Sequence, residues 1–242
     1  MEKIKTNIKG LDTLLGGGIP LHYNVFICGG PGTGKTSLAM EFLYRGALEG
    51  SNGLFLSLEE DTDSLIKNAN ATFTKWVKFN QLIKEKKLTI LTQESYIHVD
   101  MPETGVSPYY TFNKLHDKIN EVIDDRGVKL VVIDSASILS LFFEDELEYR
   151  RTLLNLLRDL KRKGCTAMLT AELQNVSRET VRFSVEHFVA DGVIVLYLLE
   201  QQERRISAIE ILKMRGSNHS KVLTPFKITP NGIEIYVGER VY

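Results

Sequence analysis

One run constrains the chain more than any other: Gly29-Gly30-Pro31-Gly32-Thr33-Gly34-Lys35-Thr36. It satisfies G-x-x-x-x-G-K-[ST] in full, follows a short apolar run from Tyr23 to Cys28, and opens a helix. The physics is direct. Glycines let backbone N–H groups turn inward and surround phosphate oxygens. The helix that follows points its positive end at the same anion. Lys35 places a cation on the β- and γ-phosphates, and the Thr36 hydroxyl is a hard oxygen ligand suited to Mg²⁺. Gly30, Pro31, Gly32, Thr33, Gly34, Lys35, Thr36 and Ser37 are therefore the candidate contacts to a nucleotide, with Lys35 also a catalytic candidate.

A strand that turns through this loop into a helix predicts an α/β fold, and the rest of the pattern agrees. Helical spacing covers Thr36–Leu48, Thr62–Ala71 and Phe112–Asp125. The clearest helix is Glu146–Lys163, with Leu147, Arg150, Leu153, Leu154, Leu157 and Leu160 on its stripe and Gly164 as the stop. Between the helices lie strand-like runs at Gly53–Leu58, Leu88–Leu91, Lys129–Ile133 and Cys165–Ala171. Such alternation predicts a mostly parallel sheet with helices on both faces. The tail has strands at Val193–Leu199, Arg205–Met214, Phe226–Thr229 and Ile233–Tyr236 with only short turns between them, which predicts antiparallel extension of one sheet edge. No linker separates the two parts, so residues 1–242 read as one domain. The polar stretch Thr92–Tyr110, with Pro102, Gly105 and Pro108, reads as a surface loop.

Three further features carry chemistry. Leu130–Asp134 is a buried strand with an acid at its C-terminal end, where ligands of parallel sheets bind. Asp134 is the candidate support for Mg²⁺. Glu59 and Glu60 follow the strand Leu54–Leu58. Adjacent residues of a strand point to opposite faces, so at most one of them aims at the nucleotide, where a carboxylate orients and deprotonates the attacking water. Bare patterning leaves a solvated strand end equally open. On the strand Ser207–Arg215, Lys213 and Arg215 share one face with Ile209 and Ile211. The alternatives are an exposed strand end and a cation pair reaching an anion on a neighbouring subunit.

With these residues in view, the chain resembles one domain of the KaiC family of circadian-clock ATPases, within the RecA-type group of P-loop NTPases. The resemblance rests on Ile8–Asp12, Gly17–Pro20, the phosphate loop, Phe42–Tyr44, Ser57–Glu60, Ile66–Ala69, Ile133–Ser135, Thr170–Glu172 and above all Glu210–His219. It implies a RecA-type fold and a ring, usually a hexamer, with ATP between subunits. It implies that Glu59 and Glu60 are paired catalytic glutamates and that Asp134 supports Mg²⁺. It also implies that Lys213 and Arg215 reach the nucleotide of the adjacent subunit, with Met214, Ser217, His219 and Thr229 as further contacts from that side. KaiC carries two such domains in tandem and a C-terminal tail. One domain and no tail past Tyr242 lead us to expect neither a clock role nor a phosphorylation switch.

The leading expectation is an ATP-binding, Mg²⁺-dependent ATPase that assembles with copies of itself. The alternative is a recombinase- or helicase-like protein acting on single-stranded nucleic acid through the loops Ser140–Asp145 and Gln174–Ser184, with Arg178 and Arg182. A regulatory module that uses ATP mainly to hold its assembly is a third. The net charge of −1 excludes nucleic-acid binding by bulk charge, and the Phe142–Glu146 run is acidic. Cys28 and Cys165 read as buried, reduced thiols, and no apolar run spans a membrane, so the cytoplasm is the expected compartment. Trp76, Phe73 and Phe79 are spaced for packing.

Overall fold

The computed structural model describes residues 1–92, 108–141, 143, 145–173, 185–201 and 204–241. The chain runs β1 (Lys3–Ile4), α1 (Leu11–Leu14), β2 (Ile19–Pro20), β3 (Asn24–Gly29), α2 (Lys35–Leu48), β4 (Gly53–Ser57), α3 (Thr62–Thr72), α4 (Phe79–Lys84) and β5 (Leu88–Leu91). Then come α5 (Pro108–Arg126), β6 (Leu130–Asp134), α6 (Ala136–Ser140), α7 (Glu146–Arg162), β7 (Thr166–Glu172), α8 (Val185–Val189), β8 (Gly192–Gln201), β9 (Arg204–Met214), β10 (Thr224–Thr229) and β11 (Gly232–Ile235).

One nine-stranded sheet, in the order β11-β10-β9-β8-β3-β7-β6-β4-β5, takes in both halves of the pattern. The strands from β8 to β5 are mutually parallel, and β9, β10 and β11 continue the sheet antiparallel. This is the mostly parallel α/β architecture that the alternation predicts, with the RecA-type arrangement that the resemblance implies. The parallel strands are apolar throughout because both faces are covered. In β6, Val131 and Ile133 enter the core beneath α5 and α7, while Leu130 and Val132 enter the core beneath α2. Period-two alternation thus serves two cores from one strand.

Local chemistry sets the helix ends. The Asp61 carboxylate accepts from Ser64 N (2.8 Å) and caps α3, and Asp145 accepts from Leu147 N (3.0 Å) and caps α7. Pro108 opens α5 instead of belonging to a loop, since a proline's fixed φ suits the first helical turn. Residues 93–107 of the expected surface loop lie outside the described residues, as does all of Gln174–Ser184. On α7 the buried stripe is Tyr149, Thr152, Leu153, Leu156, Leu157 and Leu160, whereas Leu147 is 62% exposed. The expected stripe is rotated by about one residue because Tyr149 packs against α6, where its hydroxyl donates to Ala136 O (3.2 Å). Trp76 stacks between Tyr44 and Phe73, with centroids 4.4 and 3.9 Å away, and serves packing as the spacing implies.

Candidate functional site

The C-terminal ends of β3, β4, β6 and β7 lie side by side, and the candidate residues hang from them. The phosphate loop leaves β3 at Gly29 and enters α2 at Lys35. The Thr33 hydroxyl is buried and donates to Gly30 O (2.8 Å), which pins the loop from within. Lys35 Nζ donates to the carbonyls of Gly29 (3.1 Å) and Gly30 (3.0 Å), so the cation lies over the concave side of its own loop. Gly34 sits at φ 93°, and a Cβ there would come within 3.0 Å of Ile228 Cδ1. The position therefore demands glycine twice over, for its backbone and for the close approach of β10.

Asp134 ends β6 and is 7% exposed. Its carboxylate accepts from the Thr170 hydroxyl on β7 and from the Thr36 hydroxyl at the start of α2. Burial holds this carboxyl above the usual carboxylate range. The Thr170 and Thr36 hydrogen bonds pull it back, Glu59 adds repulsion, and Lys35 adds attraction. A hydroxyl and a carboxylate converging on one point form a hard oxygen donor set that fits Mg²⁺. The Asp134–Ser135 peptide is cis.

The two glutamates diverge, although β4 has already ended at Ser57. Glu59 is exposed, accepts from the Ser135 hydroxyl, and lies close enough to Asp134 to act on its charge. Glu60 turns the other way and accepts from Asn68 Nδ2 on α3 (2.8 Å). It lines a cavity of about 140 Å³ together with Thr36, Ser37, Asn68, Thr72 and Phe73. The structure thus brings Lys35, Thr36, Asp134 and Glu59 to one point, with Glu60 and Ser37 beside it. Ser135 and Thr170 join them as hydroxyl partners that no charge in the sequence marks, though Ser135 follows β6 and Thr170 lies two residues before the end of β7, at the ligand-binding edge of a parallel sheet.

Lys213 and Arg215 lie elsewhere. Gly29 pairs with Leu196, and Leu196 with Ile209, so Ile209 is level with the start of the phosphate loop. Lys213 pairs with Val193, three residues before Leu196, which puts it about 10 Å down the sheet at ~3.3 Å per residue and two strands to the side of β3. The pair therefore sits at the opposite end of the sheet from its own loop. A bulge changes its face. Ile194 pairs with Ile211 but Val193 pairs with Lys213, so Leu212 is extra. Lys213 consequently does not share a face with Ile209 and Ile211, as a regular strand would require, and turns to the side of α8. There Lys213 Nζ donates to Ala190 O (2.7 Å), while Arg215 donates to Phe188 O (3.3 Å) and lies 3.9 Å from the Asp191 carboxylate. Burial, then repulsion from Arg215, lowers the Lys213 ammonium below its usual value, against the attraction of Asp191.

The companions of this pair divide. Ser217 accepts from Lys3 Nζ (2.7 Å) and His219 Nδ1 lies 3.3 Å from Ser217 O, both at the same end of the sheet as Lys213. Met214 is 3% exposed and packed against Gly192, so its side chain belongs to the core and not to a contact surface. Thr229 does not join them. It ends β10 beside Ile228, at the phosphate-loop end of the sheet, where its hydroxyl donates to Gly232 O (2.8 Å).

Comparison with known proteins agrees with this geometry. The family model of the KaiC ATPase matches residues 4–240. The circadian clock oscillator protein KaiC of Picosynechococcus is 35% identical over 237 residues, 98% of this chain and 45% of that protein. The same protein of Synechococcus elongatus is 34% identical over 98% of this chain and 44% of its own length. The chain thus spans under half the length of these curated relatives. The crystal structure of a KaiC-like protein from the hyperthermophilic archaeon Pyrococcus horikoshii superposes with a TM-score of 0.80 at 34% identity, covering 97% of this chain and 99% of that one. With the complete phosphate loop, the converging Thr36 and Asp134, and the Glu210–His219 segment all in place, the chain belongs to the KaiC ATPase family of P-loop proteins.

Proposed function

We propose that the protein is a Mg²⁺-dependent ATPase that assembles head to tail with copies of itself into a ring, each nucleotide lying at a subunit boundary. The observation that carries this reading is the separation of the two halves of the chemistry. Lys35, Thr36, Asp134 and Glu59 gather at one end of the sheet, and Lys213 and Arg215 project at the other. A molecule with complementary functions at opposite ends joins heterologously, and such contacts close into a ring when the rotation between copies closes. The six-membered ring usual for the family is the expected size.

Each residue has a distinct task. The loop amides and Lys35 bind and neutralise the phosphates. Thr36 and Asp134 would hold Mg²⁺, which when bound offsets phosphate charge. Glu59 orients the attacking water and accepts its proton, and the Ser135 hydroxyl fixes the carboxylate that does so. Glu60 shapes the cavity beside Thr36. Lys213 and Arg215 of a neighbouring copy reach the transferring phosphoryl group, with Ser217 and His219 behind them. The buried thiols of Cys28 and Cys165, joined in no disulfide, suit a reducing compartment, and we place the protein in the cytoplasm. Among the described residues no helix is long and apolar enough to cross a membrane. Action on single-stranded nucleic acid is the weaker reading, because the first candidate loop presents Leu141 and Asp145 instead of cations.

The test is Lys35→Ala, with nucleotide affinity, turnover and oligomer size measured on one folded preparation. Loss of ATP binding or turnover is expected. Parent-level affinity and turnover in the folded variant, or full turnover by a strictly monomeric parent, would sink the reading.

A further inference from the structure

Asp191 lies between α8 and β8, and three cations surround its carboxylate. Oδ2 accepts from the backbone N–H of Asn24 (3.1 Å), the first residue of β3, and lies 3.7 Å from Lys161 Nζ. Oδ1 lies 3.9 Å from Arg215 Nη1. The same carboxylate attracts the Lys213 ammonium, against burial and the repulsion of Arg215. The main chain adds to this. Arg215 N donates to Asp191 O (2.9 Å), Lys213 Nζ to Ala190 O (2.7 Å) and Arg215 Nη2 to Phe188 O (3.3 Å). Lys213 and Arg215 thus both take acceptors from one short segment, residues 188–191. Lys161 stands apart from the pair, over the Tyr23 ring and 5.0 Å from its centre.

We propose that Asp191 is the positioning residue of the cation pair: tied to the start of β3, it holds Lys213 and Arg215 together and aims them across the boundary at the phosphates of the next copy, a role that rests on the head-to-tail assembly. Two neighbouring cations repel, and a carboxylate between them offsets that repulsion. Exposed ion pairs are worth little, because two long side chains must be ordered in high dielectric. Asp191 differs. Its side chain is short, 15% exposed and already fixed by a backbone amide, so it is in place before either cation settles on it. Arg215 is 54% exposed, which leaves it accessible to a neighbour. More cations than carboxylate keep a positive excess, as a surface that meets phosphate requires. The bulge at Leu212 and Asp191 act together. The bulge turns Lys213 to the side of α8, and the carboxylate meets it there.

The experiment uses the assembled protein with Asp191→Asn, which keeps an acceptor for Asn24 N and removes the charge. ATP turnover should fall by about 10- to 100-fold in kcat, the cost of a misplaced group, with KM for ATP and Tm close to the parent. Asp191→Ser, a second neutral variant with an acceptor, should lose activity in the same way, and Asp191→Glu, which keeps the charge, should recover most of the loss. Mixed rings then read what a merely structural role would not move. Asp191→Asn should regain turnover with Lys35→Ala, whose cation pair is intact, and gain nothing from Arg215→Ala, whose pair is broken too. Lys35→Ala mixed with Arg215→Ala is the control. With the control recovering, parental kcat in Asp191→Asn, no recovery with Lys35→Ala, or recovery with Arg215→Ala overturns the role of Asp191 alone. Failure of both neutral variants to fold makes Asp191 a structural residue and overturns it as well. A control that stays inactive in verified mixed rings removes the head-to-tail reading, and the positioning role with it.

Discussion

Truncating Glu41 to alanine is expected to cost about 3–5 kcal/mol of stability, the usual price of removing one partner from a buried ion pair. Glu41 lies on α2, the helix that carries the phosphate loop, and is fully buried. One carboxylate oxygen accepts from Ile233 N in β11, and the other accepts from Arg45 Nε (3.1 Å) and Nη2 (3.0 Å). Arg45 Nη2 also donates to Asn231 O (2.7 Å), so this cluster fastens the β10–β11 hairpin to α2. The fit is close: a Cβ on Gly232 would fall 2.0 Å from Glu41 Oε1. Alanine leaves the Ile233 amide and the Arg45 guanidinium without their acceptor. In a chain of this length each kcal/mol is worth ~2–4 °C, so Tm should drop by roughly 6–20 °C. Glutamine keeps an acceptor for Ile233 and removes a desolvated charge, and should stay within ~1.5 kcal/mol of the parent. The pH dependence has a definite sign. Burial raises the Glu41 carboxyl above 4.5, against the Ile233 and Arg45 hydrogen bonds. Between that value and the raised one the folded state binds more protons than the unfolded state, so parental stability falls as pH rises through the window. The glutamine variant has no such loss and should gain on the parent across the same window. Urea titrations at several pH values, compared at constant m, read all of this. An alanine variant within ~1 kcal/mol of the parent, or a glutamine variant as unstable as alanine, refutes the reasoning.

Two substitutions separate roles within the site. Glu59→Gln should leave ATP bound while slowing hydrolysis by about 10²–10⁴, the worth of a general base, and Glu60→Gln should slow it much less. Steady-state turnover beside equilibrium nucleotide binding checks this, and the opposite ranking would exchange the two assignments. Asp134→Asn should abolish Mg²⁺-dependent turnover yet melt at or above the parent at neutral pH without nucleotide. The reason is that burial holds this carboxyl above 3.8, so its ionisation on folding is a cost that asparagine does not bear. The gain should vanish on acidification through the window above that value, and an Asn variant less stable than the parent at neutral pH contradicts the assignment.

Much of this was legible in the residues because it is written in charge and period. The phosphate loop, the strand ending in Asp134 and the change from alternating to purely extended elements after Val193 all follow from patterns that local physics enforces. The parts that were not legible depend on register. No residue type announces the bulge at Leu212, yet it carries Lys213 to the other face of the sheet. Met214 is apolar and near a charged pair, and only packing against Gly192 shows that it is core. Ser135 and Thr170 are common, neutral residues whose meaning lies in the neighbouring strand. Glu41 sits in the apolar sequence of α2, and beside Arg45 of the same helix its partner is Ile233, 192 residues later. Thr229 shows the same limit. Its place beside the phosphate loop follows from the antiparallel turn of β10, which sequence order alone does not supply.

The head-to-tail division of the active site is tested most directly by mixing two inactive proteins. Arg215→Ala lacks the cation that the proposal assigns to a neighbour's site, a group worth about 10³–10⁵ in rate where such residues act in trans. Lys35→Ala lacks the cation with which the loop neutralises the phosphates. Each alone should be inactive. Once native mass spectrometry verifies that the two subunits share rings, turnover should reappear, because a mixed ring contains boundaries with one intact loop facing one intact arginine. Verified mixed rings that remain inactive, or an Arg215→Ala protein with parental turnover, would contradict the account.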